Sequence, residues 1–220
     1  MSLKKVNITD SPSPDPSDRD VFYRERNEGT YGTVSFFISY LIAEVPFEFA
    51  SIIVYSLITS AVIGLKTTIQ AYLIYVIGLF CLTFSGESLG MILCSLFQGV
   101  GLANTVASII LSVGLLASGS FVPIQELPGI VRFFDYAFIT TYLNQVFCAN
   151  QFVGAAFVCP GEQALPDGSC PYSTGEQVLD SMGVNPDLLW PCLALSIAFA
   201  LFYRFLALII LRFKPVDAIL

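Results

Sequence analysis

The chain has 220 residues, of which 55% are hydrophobic and only 12% are charged, and its formal net charge is −7. In soluble globular domains about a quarter of the residues are charged. The composition therefore excludes a soluble globular protein and predicts an integral membrane protein. The acidic residues are spread over the termini and one polar loop, so the charge does not indicate nucleic acid as a partner.

The first twenty residues differ from the rest of the chain. They are polar, rich in proline and serine, and contain no apolar core of a secretory signal. A segment of this composition cannot bury enough apolar surface to offset the chain entropy lost on folding. We therefore predict a disordered cytosolic segment over residues 1–20 and a membrane domain over residues 21–220.

The longest apolar stretch follows a charged, aromatic segment with no loop signal between the two. Residues 36–65 would form a helix about 45 Å long, which exceeds the ~30 Å hydrocarbon core. We therefore predict one rigid rod that starts outside the lipid and continues directly from a cytosolic elbow helix. The elbow carries alternating charges that suit docking on another protein; its residues are Arg24, Glu25, Arg26, Glu28, Gly29 and Tyr31.

Three more apolar segments follow along the chain. Residues 69–97 form the second segment, in which the polar residues 85–88 interrupt the apolar run. A break over residues 98–104 precedes the third segment, residues 105–122, whose many small residues allow close helix packing. Residues 188–211 form the last apolar segment. The predicted fold is an all-α, polytopic transmembrane domain with four crossings.

The region between the third and last crossings, residues 123–187, is too polar to cross lipid. Its first half is amphipathic and predicts short re-entrant helices at the membrane interface. An aromatic belt would anchor them there, formed by Phe133, Phe134, Tyr136, Phe138 and Tyr142. Its second half is polar and rich in turn residues.

The basic residues predict the orientation of the chain in the membrane. The loops on one side carry only Lys66 and Arg132, whereas seven of the ten basic residues lie at the two ends of the chain: Lys4, Lys5, Arg19, Arg24, Arg26, Arg212 and Lys214. Because basic residues concentrate on the cytosolic side, both termini are predicted to be cytosolic. Residues 123–187 are then extracellular or luminal.

Cysteine usage fits that orientation. Cys159 and Cys170 are the only cysteines in the polar loop, and an oxidising compartment favours a disulfide between them. Two free thiols, or a bond to a second chain, remain the alternatives. With no histidine and no CxxC pair in the sequence, no transition-metal site is predicted.

The order of these elements, with several short motifs, resembles the membrane domain of the G subfamily of ABC transporters, the White and pleiotropic drug resistance group of type-2 ABC permeases. The resemblance covers about residues 20–211. It rests on Phe22, Glu25, Gly29 and Tyr31 in the elbow, on Glu44 and Pro46, on Ser118, Gly119 and Phe121, and on Asn150, Gln151 and Phe152. The family's phosphate-binding loop and its first two membrane helices have no counterpart in this sequence, and Phe133 stands where the family has Trp.

The resemblance implies the permease part of an ATP-driven transporter that moves lipid-like or amphipathic small molecules, with export as the expected direction. No cofactor is predicted to bind this chain and no enzymatic activity is predicted for it, since ATP and Mg would bind a nucleotide-binding domain outside this sequence. The implied partners are the lipid bilayer, that domain and a second transporter half, identical or different. The implied substrate pathway includes Ser108, Ser112 and Phe121, although on their own the two serines are equally typical of helix packing.

Four ionisable residues fall within the apolar segments: Glu44, Glu48, Glu87 and Arg204. Ionised groups are costly in lipid and usually face the protein interior. Glu44 and Glu48 are one helical turn apart and share a face, where they either snorkel to the interface or join a polar network between elbow and transport path. For Glu87, Arg204 is the nearest available opposite charge. The sequence allows either a buried ion pair between the two or a lone arginine at the membrane interface.

A second hypothesis assigns the chain to a different class. It would be a truncated, non-transporting membrane protein that acts by pairing with a full-length transporter subunit. A phosphate-binding loop encoded upstream in the genomic sequence would decide between the two hypotheses, because only the first requires one.

Overall fold

The computed structural model describes residues 32–66, 68–97, 100–120, 129, 136–157 and 172–213. The α-helices in these ranges are α1 (Thr33–Ile63), α2 (Ile69–Leu96), α3 (Val100–Ala117), α4 (Ile139–Phe152), α5 (Gly175–Met182) and α6 (Leu189–Phe213). A 3-10 turn, Pro186–Leu188, precedes α6. In the described ranges β-structure is limited to one bridge, between Ala156 and Thr174. The all-α prediction is confirmed.

Among the described residues, three helices are long and apolar enough to cross a membrane: Phe37–Ile63, Ile69–Leu96 and Pro186–Phe213. The apolar part of α3, Gly101–Ala117, is shorter. At 1.5 Å per residue α3 extends about 27 Å, slightly less than a ~30 Å hydrocarbon core. The chain is therefore a membrane protein with three clear spans, and the fourth crossing stays a prediction.

Helix α1 is a single helix of 31 residues that continues through Pro46. It begins at Thr33, because Gly32 has an extended backbone (φ −83°, ψ 152°). This corrects the prediction of one unbroken rod from the elbow into the membrane; residues 24–31 themselves lie outside the described residues. At the other end Gly64 takes a left-handed conformation (φ 73°), and the N–H groups of Gly64 and Leu65 donate to the Ser60 carbonyl.

Helix α2 lies at the centre of the bundle and packs against α1, α3, α4 and α6. The helix continues through the polar residues 85–88 that interrupt its apolar run. The Ser85 and Ser88 hydroxyls are buried and donate to the carbonyls of Cys81 and Phe84, each at 2.7 Å. Since both donors are satisfied within the helix, the polar stretch does not break it.

Helix α3 begins earlier than the sequence predicts. Residues 100–104, predicted as part of a break, are helical, and α3 ends at Ala117 rather than at 122. Helix α4 holds the C-terminal end of α3 in place. Thr140 Oγ1 donates to the Gly114 carbonyl at 2.9 Å, and Asn144 Nδ2 donates to the Ser118 carbonyl at 3.0 Å. The contact is close because Gly114 has no side chain.

Helix α4 turns one apolar stripe toward the bundle. Ile139, Leu143 and Val146 are buried against α2 and α6, and Ala149 packs against Leu179 of α5. This stripe fixes α4 across the start of α2 and the start of α6, where Val146 packs against Ile74 and Leu193.

Two residues of the predicted aromatic belt pack inward instead. Phe138 covers Gly114, where an added Cβ would lie 2.9 Å from Phe138 Cδ1. The Tyr142 ring stacks on Phe199 with 5.4 Å between centroids, and its hydroxyl donates to the Tyr136 carbonyl. Tyr136 is exposed, as a belt residue would be. Phe133 and Phe134 lie outside the described residues.

Candidate functional site

A cluster of charged side chains occupies the space between α1, α2 and α6. Helix α1 contributes Tyr40, Glu44 and Glu48, which are spaced four apart and share one face. Helix α2 contributes Glu87, and α6 contributes Arg204. Arg204 interacts electrostatically with all four of the other side chains. The structure thus brings together the four ionisable residues singled out in the apolar segments.

The cluster lies in one layer across the membrane helices. Glu87 and Arg204 each lie nine residues before the end of their helix, and Glu44 lies eleven residues after the start of α1. These positions are about 14–17 Å from the helix ends. The same ends meet in one apolar core that includes Phe37, Met91 and Leu211. The charges therefore lie away from the helix ends, inside the bundle.

Arg204 is only 5% exposed, and aromatic rings surround its guanidinium group. The guanidinium carbon lies 4.2 Å from the Phe84 ring centroid and 5.7 Å from that of Phe37. Both distances are within the range of cation–π attraction. Arg204 Nη2 lies 3.6 Å from Glu87 Oε2. That separation is an ion pair but is too long for a hydrogen bond.

Many polar atoms in this cluster are buried without a hydrogen bond. They are Glu44 Oε2, both carboxylate oxygens of Glu48, Glu87 Oε2, and Nε, Nη1 and Nη2 of Arg204. Thr83 lies beside Glu48, but its hydroxyl donates to the carbonyls of Leu79 and Phe80 on its own helix. Buried polar groups in proteins are normally hydrogen-bonded, so a cluster with this many open positions is a candidate site for function.

A second polar region lies at the opposite end of the helices, and here the groups are paired. In the α1–α2 connection the Lys66 N–H donates to Gln151 Oε1 at 3.1 Å, and its ammonium donates to the Val153 carbonyl. Asn150 Nδ2 donates to the Ala71 carbonyl at 2.8 Å. We call this region the outer tie, after its predicted side of the membrane; it consists of residues 65, 66, 68–72 and 150–154 with Glu176.

Helix α5 completes the outer tie. Glu176 Oε1 accepts a hydrogen bond of 2.9 Å from the Gly154 N–H. That backbone donor holds the pKa of the Glu176 carboxyl below its usual range, and the positive charge of Lys66 adds to the effect. A crevice of about 60 Å³ lies next to the tie, lined in part by Tyr72 and Phe147. It has room for a few water molecules and none for an amphiphile.

The predicted pathway serines lie on one exposed face of α3. Ser108 and Ser112 are four residues apart, and their hydroxyls donate within the helix, to the carbonyls of Asn104 at 2.9 Å and of Ser108 at 2.7 Å. This face is available to line a path. Phe121, the elbow residues Arg24, Glu25, Arg26, Glu28, Gly29 and Tyr31, and Cys159 and Cys170 lie outside the described residues.

Sequence reasoning did not find several residues that shape the two regions. Tyr40 and Thr83 lie one helical turn before Glu44 and Glu87 on the same stripes, so their i, i+4 spacing was an available signal. The Glu176 contact with Gly154 had no such signal, because 22 residues separate the two.

Comparison with known proteins defines the class. The family model described as ABC-2 type transporter matches residues 14–152, more than half of the chain. The chain therefore belongs to the ABC-2 type transporter family.

Individual relatives narrow the assignment further. The chain is 27% identical over 191 residues to ABC transporter G family member 23 of Arabidopsis thaliana, covering 86% of this chain and 30% of the relative. It is 26% identical over 203 residues to the broad substrate specificity ATP-binding cassette transporter ABCG2 of Bos taurus, covering 89% of this chain and 31% of the relative. An uncharacterized ABC transporter ATP-binding protein/permease of Saccharomyces cerevisiae is 29% identical over 200 residues, covering 90% of this chain and 15% of the relative.

These matches confirm the resemblance seen in the sequence: the chain is a membrane domain of the G-subfamily ABC permease type. The chain spans less than a third of the length of each of these three relatives.

Proposed function

We propose that this chain is the permease part of an ATP-driven G-subfamily transporter that exports lipid-like or amphipathic small molecules. The observation that carries the proposal is the buried charged cluster that joins three membrane helices of an ABC-2 domain. Ionisable groups persist in membrane helices mainly where they serve a pathway or a relay. Ser108, Ser112 and Phe121 contribute to the pathway, and the charged cluster links it to the start of α1.

ATP supplies the driving force through a nucleotide-binding domain that docks on the elbow residues Arg24, Glu25, Arg26, Glu28, Gly29 and Tyr31. The yeast relative is named as both an ATP-binding protein and a permease, which supports this arrangement. ATP and Mg bind that domain, both termini of the chain are cytosolic, and a second transporter half, identical or different, completes the path.

The outer region is closed by a disulfide between Cys159 and Cys170. Supporting this, the Phe157 N–H donates to the Ser173 carbonyl at 3.0 Å and the Gly175 N–H to the Ala155 carbonyl at 2.8 Å. These bonds, with the bridge from Ala156 to Thr174, hold the two ends of the cysteine-bearing segment together.

The test uses the full-length protein, wild type and Glu25→Ala, purified and reconstituted in proteoliposomes with a labelled amphiphile. We expect ATP-dependent movement of the amphiphile by the wild type. We expect Glu25→Ala to lower both transport and substrate-stimulated ATP hydrolysis at normal expression. A well-folded protein that moves no amphiphile with ATP would overturn the proposal and favour the non-transporting partner subunit. Unchanged transport by Glu25→Ala would remove the coupling role of the elbow alone.

A further inference from the structure

The charges of the buried cluster do not balance. Three carboxylates, Glu44, Glu48 and Glu87, face one guanidinium, that of Arg204. The other basic side chains in the described part of the chain are Lys66, in the outer tie, and Arg212, exposed at the end of α6. An uncompensated charge in lipid is costly, so these carboxyl groups either bind a proton or favour the approach of a further positive group.

The imbalance is greatest at Glu48. Arg204 is in contact with Glu87, and its interaction with Glu44 is stronger than that with Glu48. Neither oxygen of Glu48 accepts a hydrogen bond. Glu44, one turn away, is only 5% exposed, and its Oε2 is buried without a hydrogen bond. Two adjacent carboxylates on one face of α1 thus hold buried oxygens that have no hydrogen-bond partner.

Aromatic residues lie next to Glu48 along the helices: Phe49 follows it in the sequence, and Phe80 is one turn from Thr83, which lies beside Glu48. The Phe49 ring meets that of Phe80 edge-on, with 6.1 Å between centroids, and Phe80 stacks on Phe84 at 5.4 Å. Arg204 already uses the face of Phe84. Phe49 is 46% exposed, so the rings reach from the cluster to the lipid-facing side of the bundle. Carboxylates beside aromatic faces are the combination that recognises organic ammonium groups.

We propose that Glu48 and Glu44, with the rings of Phe49 and Phe80, bind the positively charged group of an amphiphile, a protonated or quaternary amine on an apolar body. The amphiphile reaches the site from the lipid between α1 and α2, and its apolar part stays against the exposed face of α1. This inference rests on the proposed transport function and names its substrate class.

The test measures binding to the full-length protein in dodecyl maltoside, a detergent without charge. Equilibrium dialysis with radiolabelled dodecyltrimethylammonium gives the dissociation constant for the wild type, Glu48→Gln and Glu176→Gln. The last variant removes an exposed carboxylate far from the cluster and serves as the matched control. We expect Glu48→Gln to weaken binding by about tenfold or more, the loss of one charged partner. We expect Glu176→Gln to bind as the wild type does.

A second measurement uses the wild type alone and does not depend on the folding of any variant. The analogue with a tert-butyl group in place of trimethylammonium has the same shape and no charge. We expect it to compete about tenfold less well or worse. Equal competition, or unchanged binding by Glu48→Gln, would overturn the inference.

The source of the ammonium group is distinguished by competition with dodecylphosphocholine, which carries a lipid headgroup. Competition as strong as that of dodecyltrimethylammonium assigns the site to lipids, and weak competition assigns it to free cationic amphiphiles. The experiments distinguish failure of the transport proposal from failure of the ammonium-site proposal. Cation-selective binding without ATP-dependent movement would refute the transport function, whereas transport with no preference for the cation would refute this site.

Discussion

The two polar regions of the bundle differ in how their groups are satisfied. In the outer tie, Lys66, Asn150 and Glu176 each engage a backbone group through a hydrogen bond. In the charged cluster between α1, α2 and α6, called the inner cluster below, the carboxylate oxygens of Glu48 and the guanidinium nitrogens of Arg204 are buried and make no hydrogen bond. Backbone contacts fix a geometry, whereas charges that only attract one another leave positions open for a ligand. The outer tie is therefore an anchor, and the inner cluster is where function is expected.

The largest effect should come from removing the cation of the inner cluster. Arg204→Met leaves one buried and two partly buried carboxyl groups without their positive partner, which costs about 3–5 kcal/mol. The thermal unfolding temperature of purified protein in detergent should fall accordingly. Adding Glu87→Gln to Arg204→Met should recover part of the loss. If Arg204→Met alone were as stable as the wild type, the cluster would be hydrated and its charges would not stabilise one another.

The predicted disulfide would strengthen the outer region by the next largest amount. A bond between Cys159 and Cys170 closes a short loop and contributes roughly 2–4 kcal/mol. Mass mapping without reductant should recover the two cysteines in one linked peptide, and reduction should lower the unfolding temperature. Recovery of both as free thiols from intact cells would contradict the pairing and the extracellular placement of residues 123–187 together.

Packing of α4, which carries the outer tie, can be tested at a glycine of α2. A Cβ at Gly78 would overlap the Phe147 ring, so Gly78→Ala should cost about 1–3 kcal/mol. Gly86 lies on the same helix, and a Cβ there meets no heavy atom within 4 Å. Gly86→Ala should therefore leave the unfolding temperature unchanged or slightly raised. Equal effects of the two substitutions would mean that α4 does not pack on α2 as described.

The smallest effect concerns the pH dependence of the outer tie. The folded pKa of Glu176 is lowered, so its contact with Gly154 stabilises the fold above the unfolded pKa of about 4.3 and is lost as the pH falls through the folded value. Between pH 6 and pH 4 the wild type should lose slightly more stability than Glu176→Gln. Asp180→Asn, an exposed substitution on the same helix, should retain the wild-type profile. Identical profiles for all three proteins would exclude the contact.

Hydropathy was sufficient to predict the long helices, because burial in lipid depends on composition more than on neighbours. The start of α3 was not predictable in the same way. Gly101 and Asn104 are residues typical of a break, yet α3 packs against α2 and α4, and that tertiary contact supports a helix that local propensity does not.

In the candidate site, too, local patterns predict some features and tertiary contacts decide the others. The shared face of Glu44 and Glu48 follows from helical periodicity alone. Whether Arg204 meets Glu87 depends on α6 lying beside α2, which no local pattern specifies. The ring contacts of Arg204 with Phe84 and Phe37 depend on three helices at once and were beyond sequence reasoning.

The extended backbone at Gly32 has a mechanical consequence for the proposed coupling. Glycine has a wider choice of backbone torsions than any other residue, so the chain can swivel at the start of α1. A swivel transmits displacement of the preceding segment but almost no torque. A power stroke applied before Gly32 would therefore translate or tilt α1 as a whole, and would carry Glu44 and Glu48 past Glu87 without turning them away from it.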